Sequence, residues 1–166
     1  VLLGMIAWKL LYYTYALIIP LIVVPLPWWL ILLAFISMHF VTGLLVSIVF
    51  QIAHIMPDNE FPLPNESGVM KDEWYKHQFE TTTNFSPNSS VLFWLIGGLN
   101  HQIEHHLLPD VCHVHYKKIS TIVRKTAKEF NVPYNSHRTF YHALKSHFTL
   151  LFELGTGRYD KKMIAA

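Results

Sequence analysis

Two different patterns of hydrophobic and polar positions divide the chain. Between Lys9 and Asp58 there is no Asp, Glu, Lys or Arg. A transmembrane helix needs about 20 apolar residues, so this stretch has room for two crossings. The first is predicted from about Leu10 to Val24, with Pro20 interrupting it and Pro25 and Pro27 closing it. Proline removes a helix hydrogen bond and usually kinks or ends the helix. The second is predicted from Trp28 to about Phe50. Trp8, Tyr12, Tyr13, Trp28 and Trp29 resemble the aromatic belts found at membrane interfaces. The short Pro-x-Pro connection makes the pair a helical hairpin. Both outer ends then lie on one side, where His54 and the later histidines emerge.

Beyond the apolar part the pattern breaks into shorter pieces. Pro57 to Gly68 is polar and rich in turn formers, so it reads as a loop. Residues 69–85 read as a weakly amphipathic helix, and Ser86-Pro87-Asn88-Ser89-Ser90 as a turn offering helix caps. Val91 to Leu108 reads as one helix ended by Pro109. Its first part, Val91 to Leu99, is too short to span a membrane and is expected to lie in the interface. Residues 114–130 read as a basic amphipathic helix with Ile119, Ile122, Val123 and Phe130 on one side. A last helix is predicted from Thr139 to Leu154, ended by Gly155 and Gly157, with the final residues frayed.

Composition supports the division. Of the 166 residues 52% are hydrophobic and 14% charged, whereas soluble domains average about 25% charged residues. One cysteine, Cys112, excludes an internal disulfide and a cysteine-type zinc site. The net charge of +2 is too small to suggest a nucleic-acid partner. From Asp110 onward ten Lys/Arg stand against four Asp/Glu, which favours a cytoplasmic C-terminus by the positive-inside rule. The chain begins at Val1, close to the first crossing, and carries no secretory signal pattern. That start is read as an internal one.

The candidate chemistry lies in Gln102-Ile103-Glu104-His105-His106. On a helix, positions i, i+3 and i+4 share one face, so Gln102, His105 and His106 are expected to converge. Imidazole is a good ligand for iron, zinc, copper and nickel.

This segment resembles the third histidine box of the membrane fatty-acid desaturases, in the Gln-x-x-His-His form of the front-end branch. Gln51-Ile52-Ala53-His54 is similar to that family's extra histidine between the second and third boxes. The run from Trp74 to Phe85 and the run from Pro109 to Tyr116 resemble the segments that follow each. The family's first two boxes, His-x-x-x-His and His-x-x-His-His, are not in this sequence and would lie upstream of Val1. The resemblance implies that His54, His105 and His106 are iron ligands. Gln102 stands where other branches have a histidine. It is expected to bind iron weakly through its oxygen, to hold a water, or to orient a neighbour.

Other polar groups have two readings each. Glu104 and Asn100 are partners of the ligands or surface groups. His101 replaces a common aromatic residue, with a metal role as the alternative. His77 is near the site or on a helix surface. His113 and His115 are read as structural or as partners of ligands, and His137, His142 and His147 as surface or packing residues. His39, inside the second crossing, is roughly 22 Å from His54 at helical rise and is expected to hydrogen-bond another helix, with facing the acyl tunnel as the alternative. Lys117, Lys118, Arg124, Lys125 and Lys128 form a basic face open to an acidic electron donor, an acyl-CoA phosphate, anionic lipid or solvent.

Together these readings predict an all-α integral membrane protein. A transmembrane hairpin, about 8–50, precedes a cytoplasmic helical cap, 51–166, that carries histidine metal ligands. The resemblance implies a multi-pass, oxygen-dependent fatty-acyl desaturase with two Fe ions. Its electrons would come from a cytochrome-b5-type protein or a ferredoxin, and its substrate would be an acyl-CoA or acyl-lipid, with a delta-6-like reaction on a linoleoyl chain. The isolated chain is expected to be inactive. The alternatives are a membrane hydroxylase, a sphingolipid desaturase, or a zinc protease using His101-Gln102-Ile103-Glu104-His105 as His-x-x-Glu-His.

Overall fold

The structure, a computed structural model, describes residues 1–70 and 72–159. The fraying expected of the final residues falls outside that range. The chain divides into two compact units, one of Val1–Ser47 and one beginning at Ile48.

The first unit starts with α1 (Leu2–Tyr13), a π-helical turn (Thr14–Ile18) and α2 (Ile19–Val23), which run on as one 22-residue apolar helix. It therefore begins earlier than the expected Leu10. Pro20 does not end it, because the π-helical turn widens the backbone ladder just before the ring. That relieves the clash a proline makes with the carbonyl four residues back. Pro25 and Pro27 do close it, and α3 (Trp28–His54) begins at once. Both helices are long and apolar enough to cross a membrane, and almost nothing in the most apolar stretch of either is buried. Ile31 is the one buried hydrophobic among the described residues of this unit. The two helices of the hairpin are tied by Tyr12, whose Oη lies 2.8 Å from His39 Nε2. His39 Nδ1 lies 2.8 Å from the Phe35 carbonyl. A carbonyl can only accept, so Nδ1 carries the proton and Nε2 accepts from Tyr12. The helix-to-helix hydrogen bond expected of His39 is therefore present.

The second unit contains α4 (Trp74–Glu80), β1 (Asn84–Phe85), α5 (Ser90–Leu95), α6 (Gln102–Leu107), a 3-10 turn (His113–His115), α7 (Tyr116–Glu129), β2 (Ser136–His137) and α8 (Phe140–Gly155). Its core packs Ile52, Ala53, Met56, Phe85 and Ala143 together. His147 of α8 reaches Ile55 O at 2.8 Å and Gln51 Oε1 at 3.0 Å, fixing the residues around His54. His147 is thus the packing residue expected.

Three expectations need correction. The fold is mostly but not wholly α-helical, since β1 and β2 form a short parallel bridge that pairs Asn84 with Ser136 and Phe85 with His137. The helix read over 69–85 is confined to Trp74–Glu80. After it, Thr83 N donates to Ala53 O at 2.8 Å and Asn84 N to Asn135 O at 3.0 Å, which draws the β-branched Thr81-Thr82-Thr83 run out of the helix. The single helix read over Val91 to Leu108 is two, α5 and α6. Gly97 and Gly98 break it with φ of 60° and 76°, a left-handed backbone that glycine adopts without steric cost. Gly98 N bonds back to Phe93 O at 2.8 Å, closing α5 as a left-handed C-cap does. The tight packing of Gly98 confirms the need for glycine, because an added Cβ would lie 2.8 Å from His113 Cβ.

Candidate metal centre

α6 is only six residues long, too short to hold its own position. A buried hydrogen-bond network holds it instead. Asn84 Oδ1 accepts from Ile103 N at 2.9 Å, in the first turn of α6. Asn84 Nδ2 donates to Glu104 Oε2 at 2.8 Å and lies 2.8 Å from Tyr134 Oη. Tyr134 Oη donates to Glu104 Oε1 at 2.7 Å. Glu104 and Asn84 are fully buried. Burial alone would raise the Glu104 carboxyl, but the groups around it, His101, Tyr134 and Asn84, outweigh burial and hold it below the ordinary range. His101 Nδ1 is 3.6 Å from Oε2, beyond hydrogen-bond reach but close enough to favour the carboxylate. Burial and the neighbouring carboxylate push the Tyr134 phenol upward, so it stays a donor.

This network turns the last residues of α6 toward His54. The His54 and His106 rings have centroids 4.9 Å apart, and the His105 and His106 rings 5.7 Å apart. His106 Nδ1 faces Gln78 Oε1 at 2.9 Å. The amide oxygen accepts that proton, which leaves the His106 Nε2 lone pair free. His105 Nδ1 lies 3.3 Å from Tyr116 Oη. Burial, then the neighbouring His54 and His105, push His106 down to about 4. A neutral imidazole with one nitrogen committed to an orienting partner is the form that binds a metal.

Gln102 is fully buried, and neither atom of its amide has a hydrogen-bond partner. Glu104 and Asn100 are buried, so their reading as surface groups is wrong. Asn100 donates to Ser86 O at 3.1 Å and its carbonyl accepts from Phe85 N at 3.1 Å. His101 packs edge-on against Phe93, with centroids 5.8 Å apart, as a polar substitute for an aromatic residue would. His113 packs against Phe93 and Trp94. His137 and His142 bond each other through Nδ1 at 2.9 Å. Sequence reasoning missed Gln78, Tyr116, Asn84 and Tyr134. Gln78 and Asn84 lie inside the run quoted for the resemblance, and Tyr116 ends the next, so the signal for three of them was present. Tyr134 lay outside both.

Among the described residues no group of three or more His, Cys, Asp or Glu side chains could by itself hold a metal ion. The donors suit iron in kind, being imidazoles with free nitrogens, but they amount to part of a ligand set. A zinc-protease arrangement does not fit. Glu104 is committed to Asn84 and Tyr134 in the interior, and a general base must reach a water.

The fold and this cluster define a helical protein with two membrane-length apolar helices and adjoining imidazoles. Comparison with known proteins takes the class further. Residues 2–138 match the family described as fatty acid desaturase, and the chain belongs to that family. It is 45% identical over 147 residues to the acyl-lipid (8-3)-desaturase of Physcomitrium patens, covering 89% of this chain and 30% of that one. It is 40% identical over 114 residues to the sn-1 linoleoyl-lipid 6-desaturase of Synechocystis sp., covering 68% of this chain and 32% of that one. The Delta(8)-fatty-acid desaturase 1 of Arabidopsis thaliana is 30% identical over 146 residues, with shares of 88% and 30%. The chain spans about a third of the length of these curated relatives. No solved structure matches it.

Proposed function

We propose that this chain supplies the last part of an integral-membrane, front-end fatty-acyl desaturase. His54, His105 and His106 would donate to a pair of iron ions whose remaining ligands come from outside this chain. The observation that carries the reading is the cluster of His54, His106 and His105. Gln78 and Tyr116 hold the backs of two of these rings. When bound, the iron pair supplies the oxidising power to activate oxygen, which acid–base side chains lack. Overall, two adjacent methylenes lose two hydrogens, and oxygen with two electrons and two protons leaves as two waters. A cytochrome-b5-type protein or a ferredoxin would deliver the electrons. The buried Glu104 network orients α6 and so sets where both ligand nitrogens point. Gln102, buried with an unpartnered amide, would bind iron weakly through its oxygen, hold a water, or orient a neighbour.

The hairpin is read as two membrane crossings, with the histidine-bearing unit and the C-terminus cytoplasmic. The new double bond would lie on the carboxyl side of an existing one in an acyl-lipid or acyl-CoA. A linoleoyl chain is the first substrate to test, in keeping with the name of the Synechocystis relative.

The test expresses the full-length protein in yeast fed linoleate, with product read by gas chromatography and iron by elemental analysis. H105A and H106A should each lose product and iron together. Retained product in either variant would overturn the ligand assignment.

A further inference from the structure

We infer that the face of α7 opposite its apolar side, together with the turn at Pro87 and Asn88, forms a binding site for a phosphate group. Lys117, Thr121 and Arg124 recur at helical spacing and so share one face of α7. Two clefts open along that face. One, of about 400 Å³, is lined by Arg124 and Arg138 with Tyr134 and Ser136. The other, of about 330 Å³, is lined by Lys117 and Arg124 with His101. Pro87, Asn88 and Arg124 border both, so the clefts adjoin across the Arg124 side chain.

The electrostatics of this face are one-sided. No Asp or Glu lines either cleft. Glu104 is fully buried and already accepts from Asn84 and Tyr134, and Asp58 lies 3.2 Å from His137 Nε2. Glu129, on the same helix, lies 3.8 Å from Lys125, which lines neither cleft. Lys117, Arg124 and Arg138 thus line two clefts whose own lining carries no carboxylate. Arg124 is also held in place, its guanidinium 4.8 Å from the Tyr134 ring centroid. A pre-positioned guanidinium loses less freedom on binding an oxyanion. At the floor of the second cleft His101 is 1% exposed, and neither ring nitrogen has a hydrogen-bond partner.

These features select the ligand class. A carboxylate carries one charge and two acceptor oxygens, too little for three cations. A phosphate monoester carries nearly two charges and three strong acceptor oxygens, and arginine forks match its geometry. The same chemistry could come from a phospholipid headgroup or from a soluble phosphate. Ser120 and Thr121 add no donors here, because they already donate to the carbonyls of Lys117 and Lys118.

The test uses the whole chain in a sugar-detergent micelle, titrated calorimetrically with inorganic phosphate and, separately, with micelle-dispersed phosphatidic acid. The paired variant K117Q/R138Q should weaken saturable binding about tenfold or more, as loss of charge-assisted hydrogen bonds does. K118Q/K125Q removes the same charge from the same helix away from the clefts, neither residue lining one, and should leave binding near the parent value. R124Q, with folding checked by circular dichroism, should behave like the first pair. Binding of phosphatidic acid alone would assign the site to a headgroup, and binding of both ligands to phosphate in general. An equal loss in the two pairs, or no saturable binding of either ligand, would overturn the site and leave only diffuse attraction to a basic helix. That failure would leave the desaturase reading standing, since none of these side chains lies in the histidine cluster.

Discussion

The unit of Val1–Ser47 and the unit that follows it are held together by opposite means. The first buries almost no side chain and leaves Leu3, Trp8, Ile22, Trp28, Phe40 and Leu45 more than half exposed. A hydrogen bond between its helices joins Tyr12 to His39. The second buries polar residues in number, among them Asn59, Thr83, Asn84, Asn100, Gln102 and Glu104. Apolar contact is unspecific in direction, and in the first unit it needs no specificity, because a hairpin with a short link has one way to fold. The second unit must aim two imidazoles from a six-residue helix, and directional hydrogen bonds supply what packing alone cannot.

The sharpest way to break the comparison is to remove the centre of the network. E104A leaves one Asn84 Nδ2 proton and the half-buried Tyr134 hydroxyl without their acceptor, while Asn84 Nδ2 keeps its bond to Tyr134 Oη. Each such orphan costs about 1–3 kcal/mol, so a loss of about 4 kcal/mol is expected, read by thermal or denaturant unfolding. Iron retention in the full-length protein should fall with it, because α6 would no longer be held. E104Q keeps one acceptor oxygen and should lose less than half as much. If E104A unfolds like the parent, the buried network does not organise the second unit.

Gly97 and Gly98 give a matched pair. Both have positive φ, yet a Cβ at Gly97 meets nothing within 4 Å, whereas one at Gly98 runs into His113. G97A should cost about 1 kcal/mol from backbone strain alone. G98A adds overpacking against Phe93, His113 and Tyr116 and should cost about 3 kcal/mol. Unfolding curves for the two variants separate strain from packing at the break between α5 and α6. Equal losses would mean that His113 yields.

What the sequence allowed to be read follows the same division. The hairpin was legible because the 48 residues between Lys9 and Asp58, without a charge, carry a strong one-body signal, and Pro25 and Pro27 mark its turn. The error there was local, since a π-helical turn that absorbs Pro20 has no signature in the apolar pattern. His54, His105 and His106 were legible through motif, and their rings do adjoin. The rest depended on long-range pairing. Nothing local says that Asn84 will cap α6, that Tyr134 will meet Glu104, or that Gln78 will back His106. Periodicity placed Gln102 on the face of His105 and His106, and its complete burial at the start of α6 was not legible. The two glycines were visible in the sequence and were passed over, because an apolar run on both sides concealed the break.

The smallest effect belongs to the first unit and tests its half of the comparison. Y12F deletes the hydroxyl that reaches His39 and keeps the ring that packs against Phe35, 6.3 Å between centroids. Hydrogen bonds between membrane helices are worth about 0.6 kcal/mol on average, because the separated helices find other partners. Y12F should therefore lower hairpin stability in detergent by about that amount, followed by circular dichroism on titration with a denaturing detergent. His39 makes a second bond, to the Phe35 carbonyl of its own helix, which survives in Y12F. H39A removes both bonds, so the double variant with Y12F should be no worse than H39A alone. A loss in Y12F as large as that in E104A would mean that the apolar unit also relies on a polar centre, and the contrast between the two regions would fail.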